Sequence, residues 1–136
     1  MENLLGRRVR SLEAPVYGVF RLCVGLLFAQ HGLQKLFGLL GGNGPVPLAS
    51  QFGVAGVIEL VGGLLIAVGL LTRLVAVVAA VEMVAAQVIA HLPRGVVPIQ
   101  NGGELSLLFL LAFLVIVVFG GGRYSLERLL LGRELF

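Results

Sequence analysis

Eight polar or ionisable side chains interrupt segments of the chain that are otherwise apolar. They are His31, Gln34, Lys35, Glu59, Gln87, His91, Asn101 and Glu104. Imidazole, ammonium and carboxyl groups are the side chains that most often donate and accept protons, and they are energetically costly inside apolar segments. These residue types therefore predict a site that binds a polar group or transfers protons.

The spacing of four of these residues predicts two polar helix faces. His31 precedes Lys35 by four positions, and Gln87 precedes His91 by four. Residues four apart lie one above the other on an α-helix, so each pair can present a single polar surface to a neighbouring helix.

The composition indicates that the elements carrying these residues are membrane helices. Of 136 residues, 58% are hydrophobic and 12% are charged, and the mean hydropathy is +1.04. Soluble domains are about half apolar and a quarter charged. At about 20 residues per span, the length suits four spans and leaves no room for a separate soluble catalytic domain. The single cysteine, Cys23, excludes a disulfide within one chain.

Breaks in the apolar sequence predict an all-α, four-helix membrane bundle. Glycines and prolines separate the first helix from the second and the third from the fourth, while Thr72 and Arg73 leave only a tight turn between the middle two. Short turns imply antiparallel neighbours. The predicted helices lie at about 15–38, 52–71, 73–92 and 101–120. A segment over 1–14 precedes them, and an amphipathic tail over 121–136 suits the membrane interface or a partner.

The arginines near the helix ends predict the orientation of the bundle. Arg94 is the only loop arginine on one side, and the other side carries Arg7, Arg8, Arg10, Arg73, Arg123, Arg128 and Arg133. Because cytoplasmic loops are enriched in Lys and Arg, we predict that both termini lie in the cytoplasm of a bacterium and that the protein crosses the inner membrane. The arginines flank apolar segments instead of forming a basic surface, so nucleic-acid binding is not expected. Arg7 to Arg10 before an apolar run also resembles a signal peptide, but no small-residue cleavage site follows.

Depth in the membrane predicts two charge pairings. With this orientation all eight polar residues fall in the outer half of the bundle, where Lys35 is expected to pair with Glu59 or Glu104. Arg21 and Glu82 lie at comparable depths closer to the cytoplasm, which predicts a buried ion pair between them. Alternatively, Arg21 extends to the lipid headgroups.

Several short motifs occur in a characteristic order along the chain. They are HGLQKLFG at 31–38, ELVGGLL at 59–65, GLLTR at 69–73, Glu82-Met83 with a later His91, and NGGE at 101–104. Over roughly residues 16–125 this order resembles the DoxX family of small four-helix bacterial membrane proteins. The resemblance implies an association with redox systems, including quinone-linked thiosulfate oxidation and membrane complexes that handle oxidative and thiol stress. The positions that match the family are Arg21, His31, Gln34, Lys35, Glu59, His91 and Glu104.

Two functions fit the polar layer, the eight polar or ionisable residues expected in the outer half of the bundle. A quinone headgroup needs a hydrogen-bond donor at each end and a route for protons, which these side chains could supply. The sequence has no flavin, iron–sulfur or dinucleotide motif, so an oxidoreductase activity would need a partner protein as electron donor. Alternatively, the layer is a structural network, and the protein is an accessory subunit of a larger membrane complex or a homo-oligomer. Further alternatives are a small-solute or proton transporter, a haem between His31 and His91, and a metal bound by these histidines with Glu59 and Glu104.

Overall fold

The computed structural model describes residues 4–135, which form helices and connecting segments and no strand. The helices are α1 (Leu4–Ser11), α2 (Glu13–Phe37), α3 (Gln51–Val68), α4 (Thr72–Arg94), α5 (Glu104–Phe119) and α6 (Leu126–Leu131). Among the described residues, α2, α3 and α4 are long and apolar enough to cross a membrane, and α5 is apolar but has 16 residues. The all-α class is confirmed, and the apolar helices are compatible with a membrane helical bundle.

Glycines in the left-handed conformation end two of the four long helices. Gly38 has φ 64° after α2, and Gly69 has φ 77° after α3, a conformation that costs a glycine little because it has no Cβ. The helix expected at about 101–120 is observed, but it begins three residues later than expected. Pro98–Asn101 form a separate helical turn, and Gly102 with φ 76° breaks the chain before α5 begins at Glu104.

The bundle consists of two antiparallel helix pairs. Helix α2 packs along α3 to form one pair, and helix α4 packs along α5 to form the other. Contacts of α3 with α4 and of α2 with α5 join the two pairs. The centre is filled by side chains that are almost completely buried, including Phe28, Ile66, Ala79, Phe113 and Ile116.

Glycines allow α2 and α3 to approach backbone to backbone. A Cβ added at Gly25 would lie 2.5 Å from the backbone nitrogen of Ala67 and 2.5 Å from the carbonyl oxygen of Gly63. A Cβ at Gly63 would lie 2.5 Å from the backbone nitrogen of Ala29. Small residues at membrane helix interfaces have this role, because they let the backbones pack closely.

The outer surface of the bundle is apolar, as expected for a protein in lipid. Large side chains on every long helix are half exposed or more, among them Leu27, Val61, Val81 and Leu108. Soluble monomers rarely expose so extended an apolar surface.

The tail differs from its predicted amphipathic pattern. Its helix α6 begins after Ser125, whose hydroxyl accepts a hydrogen bond from the backbone N–H of Arg128. Glu127, expected on the polar face, is 1% exposed, whereas Leu129 and Leu130 are 80% and 66% exposed. The reason is that the backbone N–H of Glu127 donates to the carbonyl of Gly69, which turns this side of α6 toward the bundle.

Candidate functional site

Two π-helical turns carry polar residues predicted to form the site. In α3 the turn spans Ile58–Gly62 and contains Glu59, and in α4 it spans Gln87–His91, so that Gln87 and His91 are its two ends. A π-turn widens the helix locally and changes the direction of the side chains beyond it, and such turns occur frequently at functional sites.

Lys35 and Glu59 form a partly buried ion pair between α2 and α3, in which the lysine side chain is 27% exposed. The Lys35 Nζ lies 2.5 Å from Glu59 Oε1. Glu59 is 3% exposed, and its second oxygen, Oε2, is buried without a hydrogen-bond partner among residues 4–135. Glu59 lies about halfway along α3, so the pair sits where an uncompensated charge is most costly.

Glu82 adds a second carboxyl group to this pair. It lies about halfway along α4, within electrostatic range of both Glu59 and Lys35. Its Oε2 is also buried, and none of the described residues gives it a hydrogen bond. Lys35, Glu59 and Glu82 are called the acidic cluster below, and the cluster joins three helices.

The predicted ion pair between Arg21 and Glu82 is wrong. Arg21 is 3% exposed, and its guanidinium donates to the carbonyl oxygens of Ile66, of Ala67 at 2.7 Å and of Tyr124 at 2.8 Å. Arg21 therefore donates to carbonyls in the last turn of α3, where helix carbonyls lack some of their partners, and connects them to the tail. The expectation that it extends to the headgroups fails for the same reason.

His31 lies between Lys35 and the aromatic core. Its ring packs edge-on against Phe109 of α5 with the ring centroids 5.7 Å apart, and it lies within electrostatic range of Lys35. Gln34, by contrast, donates to the backbone oxygen of Leu40 in the following loop at 3.3 Å. His31 is thus adjacent to the acidic cluster, and Gln34 stabilises the end of α2.

The other predicted residues form a second set of contacts, between α4 and the start of α5. Gln87 Nε2 donates to the carbonyl of Gly103 at 2.5 Å and to Ser106 Oγ at 2.6 Å. The Nδ1 of His91 lies 3.3 Å from the carbonyl oxygen of Asn101. The side chain of Asn101 accepts from the N–H of Gly103 at 2.7 Å. These contacts fix the break before α5.

Glu104 belongs to neither set of contacts. It is exposed at the first turn of α5, and no hydrogen bond or ion pair connects it to another described residue. The described part of the chain also has no group of three or more His, Cys, Asp or Glu side chains placed to hold a metal. The metal site considered from the sequence therefore does not form, since its ligands would be His31, His91, Glu59 and Glu104.

Two contributors were not expected from the sequence. Glu82 was assigned to Arg21 because both lie at similar depth, and only its direction on α4 places it beside Glu59. Ser106 follows Gly103 by three residues and donates to that carbonyl at 3.0 Å, a local pattern that the sequence alone could have suggested.

Curated proteins similar to this chain come from several bacteria. An uncharacterized protein of Haemophilus influenzae is 41% identical over 114 residues, covering 79% of this chain and 84% of the relative. An uncharacterized membrane protein of Mycobacterium tuberculosis is 35% identical, covering 89% and 85%. A Bacillus subtilis protein named "Putative oxidoreductase CatD" is 30% identical, covering 80% and 82%.

The family model that matches the chain is DoxX, over residues 17–92. This stretch includes most of α2, all of α3 and most of α4, and with them all three residues of the acidic cluster. No solved structure matches the chain. The family match and the identity with these relatives show that the chain belongs to the DoxX family of membrane proteins.

Proposed function

We propose that the protein is a quinone-linked subunit of a membrane redox complex, and that the acidic cluster binds the quinone headgroup and exchanges protons with it. The observation that carries this proposal is the position of Glu59 Oε2 and Glu82 Oε2. Both are buried carboxyl oxygens without a partner among residues 4–135, and both lie near a single ammonium group. A relative named for oxidoreductase activity supports the redox link.

The charges of the cluster suit proton transfer. One ammonium group, that of Lys35, balances one carboxylate, so the second carboxyl group is neutral only with a proton bound. The cluster is therefore uncharged with one proton bound to its carboxyl groups, and giving that proton to a quinone leaves one net negative charge, which favours uptake of a replacement proton. A quinone that is reduced to a quinol takes up electrons and protons in equal number, and a general acid in hydrogen-bonding reach can supply the protons.

If the quinone is reduced, the electrons would come from a partner protein in the same complex; if a quinol is oxidised, its electrons would pass to that partner. The exposed apolar face of α6, with Leu129 and Leu130, is a surface on which such a partner or a second copy could pack. We place the protein in the inner membrane with both termini in the cytoplasm, as the arginine distribution indicates.

Purification with native neighbours tests the proposal. The protein is extracted in a mild detergent, its co-purifying chains are identified by mass spectrometry, and quinone is extracted and quantified per chain. Glu59→Gln and Glu82→Gln should each lower the bound quinone several-fold. Glu13→Gln changes a glutamate at the start of α2, far from the acidic cluster, and serves as the matched control, which should retain wild-type quinone.

A second candidate function is that of a non-catalytic accessory subunit. The close contact of Lys35 with Glu59, and the hydrogen bonds of Gln87 to Gly103 and Ser106, favour it because they are also what a purely structural network requires. In that case a stable partner complex would purify without quinone, and Glu82→Gln would leave its composition unchanged.

A further inference from the structure

A continuous groove lies between the tail and the ends of α2 and α3. Two adjoining cavities, of about 590 Å³ and about 410 Å³, share Val68 and Tyr124 as lining residues. Arg123, Arg128 and Leu129 line the first cavity, and Val19 and Leu22 line the second. We call the two together the tail groove. It is distinct from the acidic cluster, which lies about halfway along α3 and α4.

The first cavity of the tail groove is cationic. Arg123 and Arg128 are both exposed, and neither forms an ion pair with any residue from 4 to 135. Two guanidinium groups without an ion-pair partner among the described residues are suited to a phosphate, which they can bind through charge-assisted hydrogen bonds.

The second cavity of the tail groove is apolar and runs along the membrane helices. Val19 of α2 is 60% exposed, Leu22 is 43% exposed, and Val68 at the end of α3 is 46% exposed. These side chains lie near the ends of membrane helices, so a molecule that lies against them extends from the bundle end into the lipid. An acyl chain matches this surface.

Tyr124, which lines both cavities, is held in place by a buried arginine. Arg21 holds the carbonyl oxygens of Ala67 and Tyr124, and the ring of Tyr124 packs over Gly18, where an added Cβ would lie 3.4 Å from Tyr124 Cδ2. The position of Tyr124 is thus set by the bundle, and the groove does not depend on a bound molecule to hold its shape.

We propose that the tail groove binds one anionic glycerophospholipid, with its phosphate between Arg123 and Arg128 and an acyl chain along Val19, Leu22 and Val68. Basic pockets between membrane helices at the membrane surface commonly hold anionic lipid headgroups. The lipid would connect α6 to the bundle. This inference is independent of the proposed function.

A tryptophan at the groove tests the proposal, because the chain contains no tryptophan of its own. Full-length protein with Tyr124→Trp is reconstituted in vesicles of phosphatidylcholine and phosphatidylglycerol in equal amounts, with only one of the two lipids brominated. We expect brominated phosphatidylglycerol to quench the fluorescence more than brominated phosphatidylcholine. Arg123→Gln and Arg128→Gln should each lower this preference about fivefold, and the two together should abolish it.

A double variant with the same loss of charge serves as the control. Arg94→Gln with Arg133→Gln removes two exposed arginines that do not line the groove, and it should retain the preference. Equal quenching by both lipids would overturn the proposal. It would also be overturned if the control variant lost the preference for phosphatidylglycerol as completely as the variant with both Arg123→Gln and Arg128→Gln. Loss of the preference in millimolar inorganic phosphate would overturn it in favour of a free-phosphate site. Size-exclusion elution verifies that each variant folds.

Discussion

Lys35, near the end of α2, forms an ion pair with Glu59, halfway along α3, and its Nζ lies 2.5 Å from Glu59 Oε1. The other carboxylate oxygen of Glu59, Oε2, has no hydrogen-bond partner among the described residues. The backbone contact of α2 with α3 at Gly25 and Gly63 brings these helices together, and the π-turn at Ile58–Gly62 sets the direction of Glu59. The ion pair joins the two helices, and it leaves the second oxygen of Glu59 buried without a hydrogen-bond partner among the described residues.

Removing one partner of this pair should destabilise the protein more than removing both. Lys35→Met leaves Glu59 buried without a counter-charge, and we expect it to lower the free energy of unfolding by about 3–5 kcal/mol. Combining Lys35→Met with Glu59→Gln should recover most of that loss. Denaturant unfolding in mixed micelles measures the change, with Glu13→Gln as a control away from the pair. A Lys35→Met variant as stable as the wild type would show that the pair has no role in the fold.

The close packing of α2 against α3 predicts which glycines can be replaced. At Gly25 a Cβ would collide with the backbone of Ala67 and Gly63 at 2.5 Å. Gly25→Ala should therefore separate the helices and lower the free energy of unfolding by about 2 kcal/mol or more. Gly18→Ala, whose new Cβ would meet only the Tyr124 side chain at 3.4 Å, is the matched control. Equal thermal stability of the two variants would contradict the close approach.

Loss of the Arg21 guanidinium should release the tail. It donates to carbonyls of α3 and to Tyr124, and each buried hydrogen bond to a charged group contributes about 1.5–3 kcal/mol. We expect Arg21→Gln to increase hydrogen exchange over residues 122–131 more than tenfold, while Arg8→Gln, an exposed change in α1, leaves the exchange unaltered. Unchanged protection of the tail in Arg21→Gln would mean that other contacts hold it.

The orientation of the bundle can be tested with cysteines. In a Cys23→Ala background, Val96→Cys lies in the loop before α5, where Val96 is 81% exposed, and Arg133→Cys lies in the tail beyond α6. In intact cells, a membrane-impermeant maleimide should label position 96 and not position 133. Labelling of the tail alone would invert the orientation, and labelling of both positions would place α5 on one side of the membrane without crossing it.

Depth and charge predicted the partner of Lys35 but not the surroundings of Arg21 and Glu82. The helix positions follow from hydropathy and glycine breaks, and the class and approximate helix boundaries could be predicted from them. The direction in which a side chain points around the helix axis is harder to predict from sequence. A π-turn inserts an extra residue into one turn and so rotates the remainder of the helix. The turn at Gln87–His91 and the break at Gly102 give no hydropathy signal, which is why α5 was expected to begin at Asn101.

The tail was difficult to predict for a related reason. Its leucines indicated an apolar face suited to the membrane interface or to a partner, with Glu127 on the opposite, polar face. This pattern does not show which face packs against the bundle. The single hydrogen bond from the N–H of Glu127 to the Gly69 carbonyl depends on the three-dimensional closeness of two turns 58 residues apart in the sequence. Residue patterns within one helix contain no information on that distance.

Redox-induced infrared difference spectroscopy tests the central claim most directly, that the acidic cluster exchanges protons with a bound quinone. The protein is loaded with a short-chain ubiquinone, and spectra are compared before and after its reduction. We predict a change in the carbonyl stretch of a protonated carboxyl group that disappears in Glu82→Gln and persists in Glu104→Gln, which alters the exposed glutamate of α5. A spectrum without any carboxyl change, or one that Glu82→Gln leaves intact, would contradict the claim.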